Sequence, residues 1–266
     1  MAAILDLARA AHAGPTIVVT AAAGLLAARF GGTAGAVLLV IAAVLTGQLS
    51  IGWSNDAIDA ERDRRVGRDD KPMVTGALSR TTLVRAAAGA LVATVALSAA
   101  LGLRAGALQL LLVAMGWAYN LGLKSSVLSP MPYAVAFGVL PSVASLAVTE
   151  AVAPVWLGAA GGAIGVAAHI ANVLPDLGDD EATGVRGLPH RLGPRGSRGV
   201  AAVVLAAAVA IVLIGSGLPL VIVVVVLVAS ALCVGLLLLG TPTAALPAIM
   251  VLTLVVIALA GGRLAG

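Results

Sequence analysis

Residues 38–63 read LLVIAAVLTGQLSIGWSNDAIDAERD, an apolar run that passes without interruption into a row of carboxylates. A stretch with no charge before Asp56 is long enough to cross a hydrocarbon core of about 30 Å, and the acids begin where such a span would end. The pattern recurs along the chain. Of 266 residues, 61% are hydrophobic and 11% charged, whereas ordinary soluble domains carry about 25% charged residues. A soluble fold of this length has too little polar material to cover itself, so the surrounding solvent is expected to be a lipid bilayer.

Further apolar runs place spans near 15–28, 36–53, 83–103, 107–123, 132–148, 155–174, 200–214, 218–239 and 244–260. The reading is an all-α polytopic membrane protein, a bundle of about nine transmembrane helices forming one domain over 1–266. Continuous apolar runs exclude a membrane β-barrel, whose strands alternate. The segment 1–14 carries Asp6, Arg9 and His12 and does not read as a cleavable leader.

With the N-terminus in the cytoplasm, the inner segments hold Arg9; Arg62, Arg64, Arg65, Arg68, Lys71, Arg80 and Arg85; Lys124; and Arg186, Arg191, Arg195 and Arg198. Only Arg29, Arg104 and Arg263 fall outside, the asymmetry expected of an N-terminus-inside protein of the cell membrane. The net charge of +4 is therefore topological, and no nucleic-acid partner is implied. Cys233 lies alone in an apolar run, which excludes an intrachain disulfide.

Among the 12 acidic residues, Glu150 alone falls on the outer side. Carboxylates contribute little to topology, so their gathering into cytoplasmic loops at 54–80 and 175–199 needs another cause. If the second helix continues past Trp53, Asp56, Asp59 and Asp63 share one face at i, i+3 and i+7, with Asn55 beside Asp59. Stacked like charges repel unless a cation joins them, and hard oxygens suit Mg2+. A second set, Asp176, Asp179 and Asp180, follows the sixth span, with Asn172 one turn earlier. The candidate metal ligands are thus Asn55, Asp56, Asp59, Asp63, Asp176, Asp179 and Asp180. His169 falls roughly on the face of Asn172 and Asp176, where it could bind an acceptor or simply bond to a neighbouring helix. His12 and His190 give no comparable signal.

The motif NDxxDxxxD at Asn55, Asp56, Asp59 and Asp63, with DxxxD at Asp176 and Asp180, resembles the UbiA superfamily of intramembrane prenyltransferases. Lys71-Pro72 followed by Gly76 extends the likeness, as do Gly184, Leu188-Pro189 and Leu192-Gly193; Gly187 stands where many members have threonine. Tyr119 and Lys124 resemble the family's tyrosine–lysine pair, with one extra residue between them. The resemblance implies a Mg2+-dependent enzyme in which Asp56, Asp59, Asp63, Asp176 and Asp180 are catalytic. An isoprenyl diphosphate donor and a small-molecule acceptor, such as an aromatic or quinone precursor, would be its partners besides the lipid bilayer. Asn55, Lys71, Tyr119, Lys124, His169, Asn172 and Arg186 are the candidates for substrate contact, with Arg68 beside them, while Arg62 reads first as a topological charge. A membrane terpene cyclase is the alternative within the superfamily, disfavoured by an aromatic content of only 3%. A cation transporter is the alternative outside it, disfavoured because no charge interrupts the middle of a span.

Overall fold

The computed structural model describes residues 2–68, 71–240 and 242–260. Among them every regular element is helical: α1 (Ala2–Ala10), α2 (Ala13–Arg29), α3 (Ala34–Arg65), α4 (Arg80–Ala100), α5 (Leu103–Leu121), α6 (Met131–Thr149), α7 (Val155–Val173), α8 (Leu177–Ala182), α9 (Leu188–Ser216), α10 (Leu220–Leu239) and α11 (Pro242–Ala260). Six segments are long and apolar enough to cross a membrane: α3, α4, α6, α7 with its continuation to Ala182, α9 and α10. The chain is thus a polytopic helical membrane protein. Helix α2 is apolar but shorter, α11 is apolar over Thr243–Ile257, and in α5 Arg104, Gln109 and Asn120 dilute the apolar run. Arg263 lies outside the described residues.

Sequence signals set the helix limits. Thr33 caps α3 by accepting from Ala36 N, and Ser79 caps α4 by accepting from Thr82 N. Ser216 ends α9, and Pro219 starts α10 as its N-cap residue, making the break at 215–219 real. Two loop boundaries differ from those expected. Residues 54–65 belong to α3, and 188–199 are helical on both sides of a break at Gly193 (φ 67°), so the acidic stretch of the first motif is helix and the first loop starts at Val66.

Three apolar clusters hold the bundle. The largest joins α2, α3, α5 and α6 to Leu157 of α7 and Ile257 of α11. A second joins α7, α9, α10 and α11, and buries the free Cys233. The third pins α1 to α3 through Ala10, Ala57 and Ala60. Helices α6 and α7 meet backbone to backbone, since a Cβ on Gly161 or Gly165 would stand 2.5 Å from the carbonyls of Phe137 and Tyr133. Outward-facing Val84, Val92 and Val95 on α4, with Val221, Val224 and Val228 on α10, present apolar surface to lipid.

Polar bonds inside the bundle fix α3 in rotation. Gln109 Nε2 donates to Ala43 O at 3.0 Å, Trp117 Nε1 to Ser50 Oγ at 3.0 Å, and Asn120 Nδ2 to both Ile51 O and Ser54 Oγ at 2.9 Å. All three donors come from α5. They leave the acidic face of the last turns of α3 pointing inward.

Candidate active site

Because α3 continues unbroken to Arg65, its acids share the internal face that their spacing predicts: Asp56, Asp59 and Asp63 are 1%, 5% and 7% exposed. Three buried carboxylates in a row are tolerable only with partners. Asp59 accepts from Lys124 Nζ on both oxygens, at 2.6 Å on Oδ2, and from Arg62 Nη2 at 2.7 Å. Asp56 accepts from Lys71 Nζ on Oδ1 at 2.6 Å, and His12 Nε2 lies 3.0 Å from the same oxygen. Its Oδ2 is buried without a hydrogen-bond partner.

The second acidic set is delivered by the end of α7, which tightens into a 3-10 turn over Leu174–Asp176 before the short α8. Asp176 meets Arg68 Nη1 at 3.4 Å, so the loop after the first motif is tied directly to the second motif. Asp180 Oδ2 stands 3.5 Å from His190 Nε2, an ion-pair distance too long for a good hydrogen bond.

Both sets line one cavity of about 300 Å³. Its polar end presents Asp59, Asp63, Asp176, Asp179 and Asp180 together with Asn55, Asn172, Lys71 and Lys124. Its walls continue along the bundle to Leu26, Leu157 and Ile257, near the opposite ends of α2, α7 and α11. Tyr119 and Tyr133 line it between the two ends and pack edge to face, with centroids 5.4 Å apart. The cavity is therefore charged at its mouth and apolar in its depth.

Lys124 sits in the 3-10 turn Leu123–Ser125 that follows α5. Burial pulls its ammonium below the usual lysine range, while Asp59 and Asp180 hold the proton against that pull. Backbone packing keeps the turn in place. A Cβ on Gly187 would stand 2.6 Å from Lys124 O and 2.8 Å from Ser129 Oγ, and the same hydroxyl accepts from Leu188 N at 3.0 Å and lies 3.1 Å from His169 Nε2. The departure from threonine at this position thus has a steric reason. Gly187→Thr is expected to push the Lys124 turn away from α9, costing about 1–3 kcal/mol of stability as overpacking does. A thermal melt checks the effect.

Of the sequence candidates, the cavity wall brings together Asn55, Asp59, Asp63, Lys71, Tyr119, Lys124, Asn172, Asp176, Asp179 and Asp180. Asp56 lies just behind that wall, holding Lys71. His169 is also behind it, with Nε2 3.1 Å from the hydroxyl of Ser129 in the turn before α6 and its ring packed against Tyr119 and Tyr133. Arg186 is exposed and does not reach the cavity. Sequence reasoning missed His12 and His190, whose contacts with Asp56 and Asp180 arise from tertiary packing across 44 residues in the first case.

The donor set that lines the mouth suits a hard divalent cation: carboxylates and amides. Among the described residues no three His, Cys, Asp or Glu side chains converge closely enough to form a metal cluster. The acids are instead turned toward Lys71, Lys124, Arg62 and Arg68, as expected for a mouth whose negative charge is countered by the protein's own bases.

The model of the UbiA prenyltransferase family matches residues 17–257. The fold is similar to that of a UbiA homologue from Archaeoglobus fulgidus bound to GPP and Mg2+, with a TM-score of 0.72 and 18% identity over 96% of this chain and 98% of that one. An apo UbiA homologue from Aeropyrum pernix K1 gives 0.71 and 22% identity over 92% and 95%. A digeranylgeranylglyceryl phosphate synthase gives 0.67 and 17% identity over 99% and 100%. No curated protein matches the sequence.

Proposed function

This chain belongs to the UbiA prenyltransferase family, and we propose that it moves an isoprenyl group from a polyprenyl diphosphate to a small-molecule acceptor. The observation that carries the reading is that two acidic motifs more than a hundred residues apart line the mouth of one cavity and are joined by Arg68 and Asp176. The A. fulgidus homologue bound to GPP and Mg2+ supports the same donor and metal here.

The division of the cavity assigns the parts. The diphosphate belongs at the mouth, where Lys71 and Lys124 can turn from the carboxylates toward phosphate oxygens as charge-assisted donors. Asn55, Asp59 and Asp63 on one side, with Asp176, Asp179 and Asp180 on the other, would hold Mg2+, while Asp56 behind them holds Lys71. Bound there, Mg2+ neutralises the leaving diphosphate and makes it a better anion. The isoprenoid tail belongs along the apolar walls, which keep water from the allylic carbon. As the carbon–oxygen bond breaks, the diphosphate takes the electron pair, and the acceptor forms the new bond and loses a proton. Tyr119 and Tyr133 line the cavity, and their aromatic rings would stabilise the carbon that becomes cationic.

In this reading the bundle crosses the cell membrane nine times with the N-terminus inside, so that the mouth faces the cytoplasm. The distribution of basic residues supports that orientation. Aromatic and quinone-precursor acceptors are the chemistry we favour, and a glycerol-phosphate acceptor belongs in the same panel. The test is incubation of the purified protein with geranylgeranyl diphosphate, with and without Mg2+, followed by mass spectrometry over that panel. Mg2+-dependent diphosphate release with a prenylated acceptor is expected. Release with a cyclised hydrocarbon instead would identify a cyclase, and no release from any donor would remove both enzymatic readings.

A further inference from the structure

We propose that Gln48 selects the acceptor, binding an uncharged hydroxyl or carbonyl group at a level of the cavity that holds no charge, so that neutral acceptors are preferred to carboxylates and phosphates. This deepens the prenyltransferase reading and rests on it for the presence of an acceptor.

Gln48 belongs to α3 and stands two turns before Asn55, about 10 Å deeper in the bundle. Gln48, Gly52, Asn55 and Asp59 all line the cavity, as positions three or four residues apart on one helix face do. Bonds on both sides of Gln48 fix that face, since Ala43 O accepts from Gln109 and Ser50 Oγ accepts from Trp117. Among the described residues no protein group hydrogen-bonds to the Gln48 carboxamide. An amide kept from water is costly unless a partner satisfies it, and polar groups within spans mark substrate paths. A side chain present only to line a hydrocarbon tail would not need the amide.

Close contacts give the register of the neighbouring helix. A Cβ on Gly24 of α2 would stand 2.6 Å from Ile41 Cγ1, and one on Gly52 would stand 2.7 Å from Ala11 O. The two helices run antiparallel, so these crossings put Thr16 level with Gln48. Thr16 also lines the cavity, and its hydroxyl donates to Ala11 O at 2.7 Å, which leaves the oxygen able to accept. The bonds from Trp117 to Ser50 and from Asn120 to Ser54 place Tyr119 about one turn nearer the mouth than Gln48. An acceptor ring whose nucleophilic carbon lies near Tyr119 therefore reaches the amide with a substituent on its far side.

Every Asp, Lys, Arg and His of the lining lies level with Asn55 or nearer the mouth. His12 Nε2 is 3.4 Å from Asn55 Nδ2, and the others belong to the end of α3 and the loop after it, the turn after α5, and the end of α7 with α8. A carboxylate or phosphate at Gln48 would thus be buried without a counter-charge. Turned the other way, it would lie beside the diphosphate among the acids of the mouth. A hydroxyl or carbonyl group meets neither cost.

The test is isothermal titration calorimetry on the detergent-solubilised protein, with Mg2+ and the unreactive geranylgeranyl thiolodiphosphate already bound. The probes are 4-hydroxybenzamide and 4-hydroxybenzoate, which differ in charge and hardly in shape. Wild-type protein is expected to bind the amide, and the benzoate about 10-fold more weakly because its charge would be buried unpaired. Gln48→Met, of similar volume, should weaken amide binding about 3–10-fold, the net worth of one neutral hydrogen bond, with thiolodiphosphate affinity unchanged. Gln48→Arg should reverse the preference by supplying a counter-charge. The proposal is overturned if wild-type protein binds the two probes equally or binds neither, if Gln48→Met binds the amide as before, or if a folded Gln48→Arg still rejects the benzoate. Should Gln48→Arg fail to fold, the wild-type and Gln48→Met results decide. Wild-type protein that binds the amide as expected yet prenylates no acceptor from any donor would count against the prenyltransferase reading alone.

Discussion

Asp59→Ala should both abolish diphosphate release and destabilise the protein by about 3–5 kcal/mol, the cost of breaking a buried ion pair by removing one partner. Asp59 holds two cations at once, Lys124 and Arg62. Arg62 is partly exposed and can turn to water, whereas Lys124 is buried and already pulled below the ordinary lysine range by desolvation. Its ammonium would be left without its closest counter-charge, and the turn after α5 would open to hydrate it. The double variant Asp59→Ala with Lys124→Met separates the two effects. Removing both charges should restore most of the stability, as replacement of a whole buried pair often does, while diphosphate release stays lost. Unfolding measured in mixed detergent and a phosphate-coupled assay read the two quantities independently. A double variant no more stable than Asp59→Ala would show that the pair does not act as a unit.

Asp180→Asn should do nearly the opposite, slowing release by about 100–1,000-fold, as loss of one electrostatic contact to a transition state does, with little change in stability. Asp180 lines the mouth on the short α8, and His190 stands 3.5 Å away without forming a hydrogen bond to it. In the resting structure its charge acts on Lys124 only at a distance, as a lesser aid than Asp59 to keeping the proton there, yet it lines the cavity together with Asp59 and Asp63. Single-turnover release at saturating Mg2+ gives the rate, and a melting curve gives the control. A variant that melts normally and turns over at the wild-type rate would remove α8 from the site.

The contrast between these two aspartates follows what the sequence could and could not convey. The spacing of Asp56, Asp59 and Asp63 encodes a shared face because helix periodicity is local, and the structure places all three on one internal face of α3. That Asp176 and Asp180 follow an apolar run equally local in character put them at a helix end. Which base answers which acid is not local. Lys124 reaches Asp59 across 65 residues, and His12 reaches Asp56 across 44, through docking that depends on Gly52 and Gly187 having no side chain. Nothing in the pattern around His12 marks it, since its neighbours are alanines and glycine. Arg186 misled in the reverse direction, since a basic residue beside an acidic loop reads as a ligand contact, whereas the fold turns it outward.

Every base at the mouth that is paired there is held by an acid of the protein: Lys71 by Asp56, Lys124 and Arg62 by Asp59, Arg68 by Asp176. Asp63, Asp179 and Asp180 line the same mouth beyond those pairs. A bare anion arriving there would have to draw bases from their acids in the presence of this surplus of negative charge. In the proposed reading, an anion that arrives together with a cation meets no such cost, because the surplus acids take the cation while the bases turn to the anion.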